Sequence, residues 1–413
     1  MIMKKFLFIT YAFPPQLSPA SISIAKILKY IYKSDWRATV ICAKNETTLD
    51  LKDHALLNFI PKKEIYIKEI PYPEKNFFLR VFLYFITTLK QLPDLKSVWY
   101  FPASRAVKNI FKEQNFNLLF SWSSYIVSHI VGLYVKKNTN LPWIAYFSDP
   151  WTDNPYKKFN KLAKIINLKI EKKVVENADK LIFNSAGVRD LMMQKYTKKY
   201  LSKTVILPHY FDPCLYPKIK NKKNTKCIFT HTGNFYGLRT PVPLFLAIKK
   251  LIEEKSDYVK NIEFIFIGAM PMEHKKIIKK LGIENIVKTI NIVSYLKSLE
   301  YMKKSDYLLI IDAPSKKPSV FQPAKTIDYL GAKKPILAIT TKTGQTAERI
   351  LSLQVGEIAD IENIENIKNK IIKMYKNWQN NDNKYIINNS KIEPYNVKNV
   401  SKQLIEIFNQ TIK

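Results

Sequence analysis

The chain has 413 residues, 46% of them hydrophobic and 24% charged. That length allows two or three domains with sizeable cores, and the composition excludes a disordered chain and a fold that depends on disulfides or a metal. Lys and Arg number 67 against 34 Asp and Glu, a formal net charge of +33 that favours anionic partners such as nucleotide, phospholipid or nucleic acid. Ile, Asn, Lys and Tyr are abundant throughout, however, and a chain-wide drift of that kind raises the lysine count without building a site. The three cysteines, Cys42, Cys214 and Cys227, form neither a disulfide framework nor a CxxC motif, and they point to a reducing compartment.

The N-terminal run Phe6–Phe13 has the length of a minimal signal-peptide core, with a cleavage-like Ser18-Pro-Ala20 behind it. It reads equally as a buried first strand ending at Pro14-Pro15, and the cysteine usage favours the strand. No run of ~18 apolar residues is present to span a membrane; the longest candidate, Phe77–Leu89, is short and holds Arg80. Short β-branched runs then alternate with helical patterns, the signature of parallel sheets covered by helices. Strands are expected at Lys4–Thr10, Arg37–Ala43, Glu64–Ile70, Asn117–Ser121, Pro142–Phe147, Lys180–Asn184 and Thr204–Leu207, with helices such as Pro19–Ser34 and Ser124–Lys137 between them. A second set follows at Cys227–Thr232, Glu263–Ile267, Thr289–Val293, Tyr307–Ile311, Pro335–Ile339 and Val355–Ala359. Helices Val242–Glu254, Glu273–Leu281, Tyr295–Lys303 and Ala324–Gly331 separate these, and Val397–Ile412 is a last helix. Two prolines and a Lys/Asn-rich tract mark the stretch between the sets as a linker. The expected organisation is α/β, with two doubly wound Rossmann-like domains at 1–210 and 227–385, a linker at 211–226 and a helical segment at 386–413.

The common signatures of P-loop, hydrolase and metalloenzyme chemistry are missing: GxGxxG, GxxxxGK[ST], GxSxG and HExxH are all absent. The histidines (His54, His129, His209, His231 and His274) share no metal-ligand spacing. Among only nine glycines, Gly233 and Gly268 each follow an expected strand, where a sharp turn lets backbone approach a ligand or simply makes a turn. In His231-Thr-Gly-Asn-Phe-Tyr-Gly-Leu-Arg239-Thr-Pro, Arg239 stands just before a helix N-terminus, a place suited to a diphosphate or to a solvated loop arginine. Lys325 falls in the first turn of the helix opened by Pro323, where a cation is unfavourable to the dipole unless an anion is bound. Asp328, one turn on, offers an acceptor to ribose hydroxyls or an i,i+3 partner to Lys325. Earlier, Ser121–His129 and Phe147-Ser-Asp149-Pro-Trp-Thr-Asp-Asn-Pro155 are polar and aromatic clusters at strand ends. Taken alone, His129 reads as a structural histidine and Asp149-Pro150 as a turn.

As an ordered set these residues resemble a bacterial family 4 glycosyltransferase, with two Rossmann-like domains facing across a cleft in the GT-B arrangement. The resemblance runs through Tyr11-Ala-Phe-Pro-Pro15, Leu92–Trp99, Leu141–Trp151, Ile170–Asp179, His231–Pro241 and Pro323–Leu330. It implies a retaining transfer of a hexosyl or N-acetylhexosaminyl group from a nucleotide-diphosphate sugar to a lipid-linked or polysaccharide acceptor in capsule, O-antigen or lipopolysaccharide assembly, with no metal. It places Arg239 and Lys325 on the donor diphosphate and Asp328 on the ribose. Gly233 and Asn234 line the donor site, His129 touches the donor sugar and Asp149 lies on the acceptor side. The chain departs from the pattern at Gln16-Leu-Ser-Pro-Ala20, where glycines are usual. It departs again at Asn234, a place for a second basic residue; at Val320, the first place of a paired Glu motif; and at Tyr146 and Ser148. A nucleotide-sugar epimerase of the same fold, a non-catalytic GT-B scaffold and a nucleic-acid binder are the alternatives; no RRM, KH, zinc-finger or Gly-Arg motif supports the last. The expected location is cytoplasmic. Tyr156–Lys173, with its blocks of lysine and apolar residues, is a candidate amphipathic helix for the inner membrane face or for packing on its own domain.

Overall fold

The structure, a computed structural model, describes the chain except residues 1–2, 62, 73–90, 92–93, 95, 220–222, 255, 316–317, 383–384 and 386. The Phe77–Leu89 segment and part of the Leu92–Trp99 motif therefore lie outside the described residues. The chain divides into two units, Met1–His209 with Val397–Lys413, and Tyr210–Asn396.

The first unit is built on seven strands: β1 Lys4–Ile9, β2 Trp36–Ala43, β3 Tyr66–Ile70, β4 Leu118–Ser123, β5 Trp143–Phe147, β6 Lys180–Phe183 and β7 Thr204–Ile206. They form one parallel sheet in the order β3-β2-β1-β4-β5-β6-β7. Every residue of β4 and β5 is buried, as a sheet covered on both faces requires, which is why these strands read as apolar runs without alternation. The N-terminal apolar run is the strand β1, in mid-sheet. Helix α1 (Pro19–Ile31) starts where Ser18 Oγ accepts the Ser21 amide and Pro19 pre-sets the first turn. Helices α2 (Tyr100–Glu113), α3 (Val127–Asn138), α4 (Lys161–Asn177) and α5 (Ala186–Met193) complete this part of the unit.

The second unit carries β8 Cys227–Thr232, β9 Ile262–Ile267, β10 Val287–Ile290, β11 Tyr307–Ile311, β12 Ile336–Thr340 and β13 Gly356–Asp360. Their order is β10-β9-β8-β11-β12-β13, again all parallel. The connections reverse direction between β8 and β11, and in such a sheet ligands bind beyond the strand carboxyl ends at that point. Helices α6 (Val242–Glu254), α7 (Met272–Lys280), α8 (Tyr295–Lys304), α9 (Lys325–Ala332), α10 (Gln345–Leu353) and α11 (Ile364–Gln379) cover it.

Two segments differ from the sequence reading. The stretch read as a linker, 211–226, belongs over its described part to the second unit. Phe211 N–H donates to the Tyr395 carbonyl, and the Tyr216 hydroxyl donates to the Asp328 carbonyl at 2.9 Å. Its aromatic side chains find partners that its prolines and lysines do not advertise. The expected helical segment 386–413 divides: Asn389–Ile392 and Tyr395 stay with the second unit, whereas helix α12 (Val397–Thr411) returns to the first. Its apolar face is buried there, with Phe408 5.1 Å from the Phe6 ring, 5.4 Å from Trp36 and 5.3 Å from Phe120. Asn409 Oδ1 accepts from Lys4 Nζ at 3.0 Å and from Trp36 Nε1 at 3.1 Å.

Phe408 is fully buried, and deleting its ring leaves a cavity among three aromatic rings. Phe408→Ala should destabilise the first unit by about 3–5 kcal/mol, read as a lowered denaturant midpoint in the transition that quenches Trp36; an unchanged midpoint contradicts the assignment of α12 to this core.

Candidate active site

In the second unit the carboxyl edge of β8 and β9 is shaped by glycine. Gly233 has φ +109° and Gly268 φ +135°, values that side chains rarely adopt. A Cβ on Gly268 would stand 2.7 Å from the Gly233 carbonyl oxygen, so the two turns pack backbone on backbone. Asn234 clips them together, its Oδ1 accepting the Ala269 amide at 2.8 Å. Beneath the edge, Tyr329 of α9 receives the Thr232 amide on its hydroxyl (2.9 Å) and donates to the Leu309 carbonyl (3.1 Å). One phenol thus ties β8, β11 and α9 into a fixed corner.

Lys325, the first residue of α9, reaches into this corner. A Cβ on Gly233 would lie 3.0 Å from its Nζ and would press on the ammonium. Its partner is the buried His231 on β8, Nζ to Nε2 2.8 Å. The His231 ring stacks on Phe235, centroids 4.6 Å apart and planes at 18°. Arg239 lies in the same field, half-buried, its guanidinium 5.2 Å from the Tyr236 ring and its Nε buried without a hydrogen-bond partner among the described residues. Burial and then the Arg239 charge hold Lys325 down to about 7, against a partial offset from Asp312. Burial, then Lys325 and Arg239, push His231 well below the ordinary histidine range, so it stays neutral. Asp312 is itself engaged by the Thr340 hydroxyl at 2.8 Å. The corner therefore sets Lys325 in the field of Arg239, which disfavours the charged lysine, and an anion bound there would favour it again. The amides of Thr326 and Ile327 bond back to Pro323 and Ala324, so the side-chain cations carry this role more than the α9 amides do.

The structure thus brings Gly233, Asn234, Arg239 and Lys325 to one edge. Asp328 is one turn along α9 and does not pair with Lys325; its Oδ1 accepts the Tyr295 hydroxyl at 2.8 Å. His231, Tyr329 and Asp312 were given no role from sequence. His231 opens the glycine motif and Tyr329 follows Asp328, but nothing local signals that a β8 histidine meets a lysine 94 residues on.

His129 and Asp149 belong to the first unit. His129 is wholly buried in a polar chain: Trp143 Nε1 donates to Ser121 Oγ (2.8 Å), whose hydroxyl lies 2.8 Å from His129 Nδ1, and the Tyr146 carbonyl offers an acceptor to the ring. Burial depresses it to about 3, so it is a neutral ring at physiological pH. Asp149 is exposed at the end of β5, its carboxylate 3.3 Å from the Ser148 hydroxyl. The loop that bears it is anchored by α4. Trp151 Nε1 donates to Asn167, and Thr152 donates through its amide and hydroxyl to the buried Glu171, which also accepts from Lys195 and Tyr196. The glycine-free loop 16–20 spends its amides internally: Gln16 on Phe13, Leu17 on Leu51 and Ser18 on Gln16. The start of α3 is filled by Asp94, which accepts the Ile126 amide at 2.5 Å and that of Val127 at 3.4 Å. Among the described residues no group of three or more His, Cys, Asp or Glu is placed to hold a metal ion, and no helix is long and apolar enough to cross a membrane.

No protein-family profile and no curated protein sequence matches the chain. Solved structures do. A glycosyltransferase from Rickettsia africae superposes with a TM-score of 0.68 at 14% identity, covering 100% of this chain and 99% of that one. Sucrose-phosphate synthase from Thermosynechococcus elongatus gives 0.69 at 14% identity, over 98% of both chains. A putative UDP-N-acetylglucosamine 2-epimerase from Listeria monocytogenes gives 0.65 at 12% identity, over 99% and 96%. The chain has the GT-B fold of two Rossmann-like parallel-sheet units. At these identities the likeness establishes that fold, which transferases and epimerases share.

Gly268→Ala meets both a positive φ and a backbone oxygen at 2.7 Å. It should cost about 1–3 kcal/mol and weaken anion binding at this edge, since the Gly233 turn must move; calorimetry and denaturation of the variant check both, and wild-type values in each contradict the described packing.

Proposed function

We propose that the protein is a retaining family 4 glycosyltransferase. It moves a hexosyl or N-acetylhexosaminyl group from a nucleotide-diphosphate sugar to a lipid-linked or polysaccharide acceptor in cell-surface glycan assembly. The observation that carries this reading is the corner of Arg239 and Lys325 at the carboxyl edge of β8 and β9, two cations with one engaged carboxylate near them. In a switch-point fold that corner is where a donor diphosphate is held.

Transfer with retention needs no catalytic carboxylate pair when the leaving diphosphate itself takes the acceptor's proton on the same face. The protein's work is then to align the two substrates and to stabilise the charge that builds on the departing oxygens. Arg239 supplies a planar fork and Lys325 a point charge, and their presence makes a metal dispensable. Gly233 lets the diphosphate approach the backbone, Asn234 keeps that turn in place, and Asp328, oriented by Tyr295, meets the ribose. His129 serves on the donor-sugar side as a neutral hydrogen-bonding ring and Asp149 on the acceptor side.

Losing one such donor costs ~10²–10³ in turnover. Arg239→Ala and Lys325→Ala should each lose that much kcat while keeping the wild-type melting temperature. Mass spectrometry of products from a panel of nucleotide sugars separates glycosyl transfer from epimerisation. Near-normal kcat and nucleotide affinity in both variants overturn the donor site, and wild-type protein that binds no nucleotide favours a non-catalytic scaffold.

The same reading places the protein peripherally on the inner membrane face through α4. That helix buries Ala163, Asn167, Glu171, Val174 and Val175 and exposes Leu162 and Ile165 beside Lys158, Lys161, Lys164 and Lys169. Apolar tips among lysines suit an anionic interface, where each lysine contributes about 1 kcal/mol. Flotation with anionic vesicles at low salt should recover more protein than with neutral vesicles, and Leu162→Ser/Ile165→Ser should reduce that recovery; equal recovery from both vesicle types removes this part of the proposal.

A further inference from the structure

We propose that His231 is the positioning residue of the donor site: its Nε2 holds the Lys325 ammonium where the leaving diphosphate meets it. The inference rests on the reading of that corner as the diphosphate site and adds a residue to it. His231 is fully buried, its ring plane is fixed by the stack on Phe235, and among the described residues the polar contact of its Nε2 is Lys325 Nζ at 2.8 Å. A lysine has four rotatable side-chain bonds, and among the described residues Lys325 has no carboxylate within ion-pair distance to aim it; a neutral imidazole nitrogen can do so without cancelling the charge that the phosphate must meet. A carboxylate in the same place would direct the lysine equally well but would repel the anion. Because His231 stays neutral, the pair carries the undiminished Lys325 charge whenever that lysine is protonated.

The groups that face this pair are few and named. Arg239 approaches from the loop before α6 and depresses the charge on both members. Asp312 at the end of β11 favours the charged lysine and is bonded to Thr340. On α9, Asp328 is turned to Tyr295 and the Tyr329 hydroxyl is taken by Thr232 and Leu309. His274 on α7 lies edge-on to Phe235 and 3.3 Å from the Thr240 hydroxyl, away from Lys325. The lysine is thus the group whose proton changes near neutrality. An anion favours the charged form, so between about 7 and the higher value in the complex, binding takes up a proton and affinity falls as pH rises. Below about 7 Lys325 is already charged and this dependence vanishes.

The test is calorimetric titration of UDP, GDP and ADP from pH 6 to 9 on wild type, His231→Phe, His231→Gln, Lys325→Ala and the His231→Phe/Lys325→Ala double variant. Phenylalanine keeps the stack on Phe235 and removes the acceptor; glutamine restores an acceptor. For the nucleotide that wild type binds, His231→Phe should raise Kd about tenfold at pH 7.5 and move the break in the pH profile to lower pH, because the ammonium loses a partner of its charged form. At pH 6 the difference should shrink, His231→Gln should recover part of the affinity, and the double variant should bind no more weakly than Lys325→Ala. If Lys325→Ala loses affinity but His231→Phe binds like wild type at every pH, the positioning role is wrong and the diphosphate site stands. An equal loss at every pH together with a lowered melting temperature assigns His231 to packing and also overturns the proposal. If wild type binds none of the three, or Lys325→Ala binds like wild type, the underlying site fails and this inference with it.

Discussion

Two like charges set near one another at a partly buried corner shape the second unit. Lys325 and Arg239 would separate in solvent, and burial makes their proximity more costly. They stay because each is tied to something rigid: Lys325 to the start of α9 and to His231, Arg239 to the turn whose amide bonds the Tyr236 carbonyl. The surrounding architecture serves that constraint. Tyr329 fixes α9 against β8 and β11, the two glycine turns leave room for the ammonium, and Asn234 holds those turns in register. A repulsion of this kind persists because the surrounding structure over-determines it.

The first unit is organised around neutrality and closure. His129 lies beside Trp143, Ser121 and Tyr146, and burial leaves its ring uncharged. The loop that carries Asp149 is fastened from below by Asn167 and Glu171, so the inner face of α4 holds that loop while its outer face carries lysines and two apolar tips. Lys96 is buried among the rings of Tyr11, Tyr72 and Tyr125 at 5.2–5.4 Å with Asp50 3.6 Å away, which locks the loop after β1. With the amides of Gln16, Leu17 and Ser18 bonded to the carbonyls of Phe13, Leu51 and Gln16 and Asp94 covering the start of α3, two places where backbone could meet a phosphate in this unit are already occupied. In the proposed function, phosphate recognition then falls to the side chains of the second unit.

Much of this was legible in the residues. The thirteen strands of the described residues stand within a few residues of where β-branched runs place them, and the central ones are apolar because they are buried on both faces. The doubly wound class, Lys325 in the first turn of its helix and Arg239 just ahead of another also follow from local pattern. β10 ends at Ile290, earlier than its apolar run suggests; its ladder runs beside β9, and the Ile290 carbonyl receives the Gly268 amide.

What only the tertiary structure decided are the encounters between distant residues. That Lys325 meets His231 instead of Asp328, that Asp328 turns to Tyr295, and that α12 leaves the second unit to bury Phe408 against Phe6 and Trp36 are outcomes of three-dimensional closure. Helix and strand patterns arise from neighbours a few positions apart, and so the sequence by itself determined the elements, the parallel class and the positive residues at helix starts. Partners 33, 94 and about 400 positions away are chosen by which faces are left to bury once the sheets have formed, and no local spacing encodes that choice.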